Sequence, residues 1–142
     1  RKQIRLEFTH DEMIPDLLID GPKMEQVLNN LVSNAIKFSH SNTTTLVSLT
    51  LTEEGVCLRV KDEGQGIPAS EAETLFKPFQ QTSVRTTGGE SSTGLGLVIV
   101  KRIVQGHGGT ITVTSDVGSG TEFSVLLPAV LVAEGQNVQE AH

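Results

Sequence analysis

A two-layer α/β domain, with helices packed on one face of a mixed, mostly antiparallel sheet, is the fold class this sequence predicts. Three observations predict it. Apolar residues alternate with polar ones in several short runs, the pattern of half-buried strands. Two longer segments, near residues 24–38 and 94–105, carry apolar residues at helical spacing instead. Glu53-Glu54-Gly55 and Val117-Gly118-Ser119-Gly120 stand between consecutive strand runs, as hairpin turns do. A chain of 142 residues is one domain, large enough to bury a single core without staples.

Ile4, Leu6 and Phe8 alternate with charged or polar neighbours and predict a half-buried strand. The short apolar piece Leu17 to Ile19 ends at Asp20-Gly21-Pro22. That triplet is a helix start, because Asp20 can cap free backbone amides and Pro22 needs no amide partner in the first turn. Met24, Val27, Leu28, Leu31, Val32 and Ala35 then recur at helical spacing to about Phe38, and Ser39 to Thr44 reads as a polar loop. Val47, Leu49 and Leu51 pair as a hairpin with Val56, Leu58 and Val60.

A short helix is expected over Ser70 to Leu75, and from Lys77 to Thr93 a long loop rich in Gln, Ser, Thr and Gly, of a length that is usually functional or disordered. The second long helix runs from about Gly94 to Gln105 and is broken by Gly106-His107-Gly108-Gly109. Thr110 to Thr114 and Glu122 to Leu127 supply the last two strands. The tail from Ala129 to His142 has little pattern and reads as frayed or as a linker.

The net charge of −6 argues against a nucleic-acid partner, whose phosphates need a basic surface. Cys57 is the one cysteine, which rules out an intramolecular disulfide and fits a reducing compartment. No apolar run approaches the roughly 20 residues a membrane span needs, so no direct membrane contact is expected. The start at Arg1, without an initiator Met, predicts a piece of a longer protein.

Asp62-Glu63-Gly64-Gln65-Gly66-Ile67-Pro68 follows an apolar strand, and Thr93-Gly94-Leu95-Gly96-Leu97 opens an apolar helix. An acid beside bare backbone can read a purine amino group, and glycines at a helix start can cradle phosphates. Upstream stands Asn30-Leu31-Val32-Ser33-Asn34-Ala35-Ile36-Lys37-Phe38, and between them Phe76-Lys77-Pro78-Phe79. In chain order, Asn30 to Phe38, Asp62 to Gly66, Phe76 to Phe79 and Gly94 to Leu97 resemble the N box, first glycine box, F box and second glycine box of the ATP-binding catalytic domain of sensor histidine kinases. That domain belongs to the wider group that includes gyrase, Hsp90 and MutL. The resemblance implies the Bergerat ATP-binding fold over residues 1–128, with 129–142 as tail or linker, and ATP and Mg²⁺ as ligands.

Asn30, Asn34 and Lys37 fall at i, i+4 and i+7, on one side of their helix opposite the Leu/Val stripe. An amide oxygen is a hard ligand suited to Mg²⁺. By the resemblance, Asn34 is the metal ligand and Lys37 a phosphate contact. Gyrase and Hsp90 have a glutamate where this chain has Asn30, and an amide cannot accept a proton, so the helix lacks a general base. Neutral imidazole is already nucleophilic near neutral pH, so Asn30 fits transfer to a histidine and disfavours rapid hydrolysis.

Asp62 ends an apolar strand, and a buried carboxylate there needs a donor, which the exocyclic amine of adenine supplies. Gly64 and Gly66 would leave room for the ring, with Ile67 and Phe38 as candidate walls. The resemblance adds Thr121, which would reach the same pocket through water. Thr93, Gly94, Leu95, Gly96 and Leu97 open a helix whose free amides suit a triphosphate. Phe76 and Phe79 would anchor a lid over it, and Arg85 is the cation expected to meet the γ-phosphate.

His10-Asp11-Glu12-Met13-Ile14-Pro15 superficially matches the family's phosphoacceptor pattern. It lies too close to Asn30 for the two long helices that carry that motif, at about 1.5 Å rise per residue, and it reads as coincidence. His40, His107 and His142 have no sequence neighbours that point to catalysis or metal binding.

The resemblance implies a cytoplasmic, ATP-binding protein-histidine kinase domain in a homodimeric parent. Its partners would be a phosphoacceptor and dimerisation hairpin outside this chain and a response-regulator receiver domain. The competing expectations are a nucleotide-binding interaction module without kinase activity and an ATP-hydrolysing switch of the gyrase or Hsp90 kind.

Overall fold

The structure, a computed structural model, describes residues 3–15, 17–77 and 96–128. Five strands and three helices follow in the order β1 (Ile4–His10), α1 (Gly21–Phe38), β2 (Thr43–Thr52), β3 (Gly55–Lys61), α2 (Ala69–Ala72), α3 (Gly96–Gly106), β4 (Thr110–Asp116) and β5 (Gly120–Leu127). A 3₁₀ turn, Glu73–Phe76, continues α2. The strands form one sheet in the order β1-β2-β3-β5-β4. β1 runs parallel to β2, and all other pairs are antiparallel. The expected mixed, mostly antiparallel sheet is therefore found.

The start of α1 follows from its sequence. Asp20 is the N-cap, its Oδ1 accepting from the Lys23 N–H at 3.1 Å, and Pro22 sits in the first turn. One stripe of α1 (Val27, Leu31, Ala35) and one of α3 (Val100, Val104) meet Val47, Leu58, Val60, Phe123, Val125 and Leu127 of the sheet in a single core. The opposite sheet face carries Ser48, Thr50, Arg59 and Ser124, with Arg59 Nη1 donating to Thr50 Oγ1 at 3.1 Å. Buried Cys57 shares that face, and burial, the largest influence, pushes its thiol above the ordinary value of 9.0.

The expected half-burial of β1 is not observed. Leu6 is 55% and Phe8 57% exposed, although their register partners Thr45 and Val47 are buried. The alternation is correct, but β1 is an edge strand and α1 packs over β2 and β3. No described helix lies over β1.

α1 and α3 pack antiparallel and are tied at both ends. Asn30 Nδ2 donates to the Gly96 carbonyl in a long bond of 3.4 Å, near the start of α3. Past the other end of α3, His107 Nε2 accepts from the Asp20 backbone N–H at 2.9 Å, and Nδ1 bonds the Ile103 carbonyl at 2.8 Å. These partners fix the neutral ring with its proton on Nδ1. Asp20 and Asn30 stand about 15 Å apart along a helix rising about 1.5 Å per residue, so the two ties hold the two ends of α3 against the N-terminal half of α1. His107→Ala should lower unfolding stability by about 0.5–1.5 kcal/mol, the worth of one hydrogen bond. Urea denaturation measures it, and an unchanged midpoint would remove the tie from this account.

Candidate functional site

The first glycine box leaves β3 beneath the C-terminal end of α1. Asp62 continues β3, and its backbone N–H donates to the Thr121 carbonyl at 2.9 Å. Its carboxylate is 3% exposed. Oδ1 accepts from the Gly64 N–H at 2.9 Å and from the Thr121 N–H at 3.1 Å, and among the described residues no bond to Oδ2 is found. Burial, the dominant influence, pushes the Asp62 pKa above its ordinary 3.8, against the downward pull of those two N–H bonds.

Gly64 and Gly66 have a packing reason that their sequence positions do not reveal. A Cβ on Gly64 would collide with the Phe38 carbonyl oxygen at the end of α1. Gly66 has φ +75°, and a Cβ there would collide with the Asp116 carbonyl. On the side where a Cβ would stand, both glycines therefore meet the protein's own backbone. Gln65 N–H donating to Phe38 O at 3.2 Å and a bridge between Ser39 and Gly64 close this seam between helix and loop.

Gly96 differs. A Cβ there would meet only the Asn30 side chain, at 3.8 Å, an ordinary contact. No described part of the fold requires a glycine at this position.

The polar side of α1 faces the same region. Asn30, Asn34, Lys37 and Phe38 are half-buried, and the Asn34 side chain has no hydrogen-bond partner among the described residues. Ile67 is buried outside the main core cluster, whereas Leu97 packs against that core. Thr121, 6% exposed, stands directly across from Asp62. Phe76 of the F box meets the buried Phe123 edge-on at 6.2 Å, and Lys101 Nζ lies 5.5 Å from its ring centre. Phe79, Arg85, Thr93, Gly94 and Leu95 lie outside the described residues, as do the tail and His142.

His10 ends a strand, with Nδ1 2.8 Å from the Asp11 carbonyl oxygen. Among the described residues no group of three or more His, Cys, Asp or Glu could hold a metal ion, and no helix is long and apolar enough to cross a membrane.

Sequence reasoning missed Ser115. Its Oγ accepts from the Ile67 N–H at 2.7 Å, donates to the Gly120 carbonyl at 3.0 Å and lies 2.8 Å from Thr121 Oγ1. Only the register of β4 on β5, which sets Ser115 against Thr121, brings these groups together.

A buried acid whose second oxygen has no partner among the described residues can read a donor on a ligand. The free amides of a helix start suit an anion, and together the two point to a nucleotide-binding class of site. The comparisons agree. The family described as histidine kinase-, DNA gyrase B-, and HSP90-like ATPase matches residues 19–131, and this chain belongs to it. Within that family its relatives are sensor histidine kinases. It is 36% identical over 127 residues to the sensor histidine kinase ZraS of Escherichia coli K12, covering 89% of this chain and 26% of that protein. It is 40% identical over 131 residues to the sensor histidine kinase WalK of Bacillus subtilis, covering 89% and 21%. The chain thus spans about a quarter of these proteins or less. Among solved structures, a mycobacterial sensor histidine kinase, MprB, superposes with TM-score 0.80 at 28% identity, over 90% of this chain and 85% of that one. Full-length ShkA in complex with AMPPNP superposes with TM-score 0.79 at 29% identity, over 90% and 26%.

Because the folded Asp62 pKa is raised, the stability this group lends is complete below 3.8 and is lost as pH rises through the folded value. At neutral pH the ionised carboxylate therefore burdens the empty domain. Asp62→Asn should leave the nucleotide-free melting temperature unchanged or higher at pH 7, and should reduce the relative gain that the aspartate provides when the pH is lowered below about 4. A marked fall in that melting temperature at pH 7 would make Asp62 a structural residue.

Proposed function

We propose that this chain is the catalytic, ATP-binding domain of a sensor histidine kinase, binding Mg·ATP and presenting the γ-phosphate to a histidine on a helical hairpin outside the chain. The observation that carries the reading is Asp62, buried, with Oδ1 satisfied by the protein and Oδ2 left for a donor. The adenine amino group is such a donor. Guanine presents a carbonyl at that edge and is repelled, so the acid also selects ATP over GTP.

The remaining roles follow from position. Gly96 opens α3, and among the described residues nothing packs against it closely enough to need a glycine, which supports close approach of the phosphates to the helix amides. Phe38 and Ile67 flank the base, and Thr121 reaches it through water. Leu97 supports the start of α3 from the core. Lys37 and Arg85 meet phosphate, Thr93, Gly94 and Leu95 complete the phosphate end, and Phe79 anchors the lid. Mg²⁺ fits the donor set: Asn34 offers an amide oxygen without a competing partner, and no carboxylate cluster exists among the described residues to hold the ion alone, so it would come with the phosphates. Bound there, it would neutralise phosphate charge.

The parent is read as a homodimer whose cytoplasmic part contains this domain, with a receiver domain of a response regulator as the next acceptor. His10, at the end of a strand, is not the acceptor.

ATP and ADP should bind in the micromolar to millimolar range, about −4 to −8 kcal/mol, and GTP far more weakly, by calorimetric titration. Asp62→Asn should cost about 1.5–3 kcal/mol of ATP affinity. Equal affinity for GTP would take Asp62 out of this role.

A second expectation concerns Asn30. General-base help is worth about 10²–10⁴-fold in rate, and Asn30 provides none, so the chain should bind ATP yet hydrolyse it very slowly. Adding the parent's hairpin should give acid-labile label from radioactive ATP on the hairpin. Brisk phosphate release by the chain alone would favour the ATPase reading, and label on His10 would overturn the choice of acceptor. Asn34→Ala should abolish transfer and also the Mg²⁺ dependence of nucleotide affinity.

A further inference from the structure

Three side chains form a row across neighbouring strands on the helix-covered face of the sheet. Val60 and Phe123 face each other in the core, and the next position along brings Asp62 opposite Thr121. On the other side of β5, Thr121 is paired with Ser115. Asp62, Thr121 and Ser115 therefore lie side by side, and hydrogen-bond polarity can pass from one to the next.

The Ser115 hydroxyl has three neighbours and one proton. The Ile67 N–H can only donate to it, at 2.7 Å. The Gly120 carbonyl can only accept from it, at 3.0 Å. Thr121 Oγ1, at 2.8 Å, could take either part. Only one assignment makes every contact a hydrogen bond: Ser115 donates to Gly120 O, and Thr121 donates to Ser115. The Thr121 proton then points along the sheet, away from Asp62. What Thr121 offers on its other side is oxygen lone pairs.

We propose that Ser115 is a specificity-determining positioning residue, which holds the Thr121 hydroxyl as an acceptor beside Asp62 so that the pocket takes a purine with an amino group at position 6 and rejects one with a carbonyl there. The inference rests on the proposed adenine-facing role of Asp62. Asp62 Oδ2 and Thr121 Oγ1 then present acceptors together, whether to the amino group directly or to a water between. A 6-carbonyl would meet two acceptors and no donor, and its site groups would lose their partners. Without Ser115, the Thr121 hydroxyl is free to turn and donate to that carbonyl, and discrimination relaxes.

Inosine triphosphate differs from ATP in the exchange of the 6-amino group for a carbonyl and the ring proton that goes with it, so it isolates this edge. The test is calorimetric titration of the 142-residue chain with each nucleotide in the presence of Mg²⁺. The unaltered chain should favour ATP. Ser115→Ala should narrow the ratio of the two affinities by about 2–10-fold, the worth of one neutral hydrogen bond. Ser115→Thr, which keeps a hydroxyl, should retain the original ratio. Thr121→Val removes the acceptor itself and should narrow the ratio by a similar factor, which keeps the test decisive where Ser115→Ala fails to fold.

An equal loss of both affinities in Ser115→Ala would leave Ser115 as scaffolding and overturn the proposal. So would a ratio unmoved by Thr121→Val, or one narrowed as much by Ser115→Thr as by Ser115→Ala. Equal binding of both nucleotides by the unaltered chain, or binding of neither, would instead overturn the reading of Asp62 on which this rests.

Discussion

A carboxylate almost fully withdrawn from water must find donors, or its burial costs several kcal/mol. Asp62 is that group here, and much of the local architecture answers to it. Its two amide partners come from different places, one from its own turn at Gly64 and one from β5 at Thr121. Both can converge on Oδ1 only if the loop folds tightly under α1 and β5 is held in register beside β3. The first condition brings Gly64 against the Phe38 carbonyl, where no side chain fits. The second is met by the ladder from Val56–Leu127 to Lys61–Glu122. On the reading proposed here, the second oxygen, without a partner among the described residues, is the one that meets a ligand.

The helix layer obeys a complementary constraint. Val27, Leu31, Val100 and Val104 join α1 and α3 through packing, which is non-directional and fixes contact better than it fixes sliding. The polar ties at Asn30–Gly96 and Asp20–His107 supply the direction, one near each end of α3. Sliding one helix by a turn would break both. The helix carrying Asn34 and Lys37 is thereby set relative to the amides that open α3, and the distance between these groups is the quantity a triphosphate site must hold constant.

The elements were legible where local chemistry decides them. The Asp20 cap, the strand alternation and the break at Gly106 to Gly109 each act within a few residues, and the structure follows them closely. Asp62 was legible for a related reason, since an acid closing an apolar strand is a local anomaly. What was not legible depends on partners far along the chain. Leu6 and Phe8 alternate as a half-buried strand should, yet stay exposed because coverage is set by where α1 lands. Gly64 and Gly66 also have a packing reason that their sequence positions do not reveal, since a Cβ on either would meet the Phe38 or the Asp116 carbonyl. Ser115 gave only a weak signal. A serine in a Thr-rich strand is ordinary, and only the pairing of β4 with β5 gives it work to do. The one available hint was its place in a strand ending at the Val117 to Gly120 hairpin, which sets it opposite Thr121.

Asn30 joins the structural and the chemical arguments. A side-chain amide carries both a donor and an acceptor, whereas an ionised carboxylate only accepts. The donor of Asn30 reaches the Gly96 carbonyl, and a carboxylate in its place would face that carbonyl with a second acceptor and lose the tie. The same lack of a basic oxygen that leaves water near a γ-phosphate without a base is therefore what lets this residue help anchor α3. On the reading proposed here, slow hydrolysis and a fixed phosphate-binding helix are not separate properties of the domain. Both follow from one amide, and a carboxylate in its place would supply a base while giving up the tie to the helix that the phosphates need.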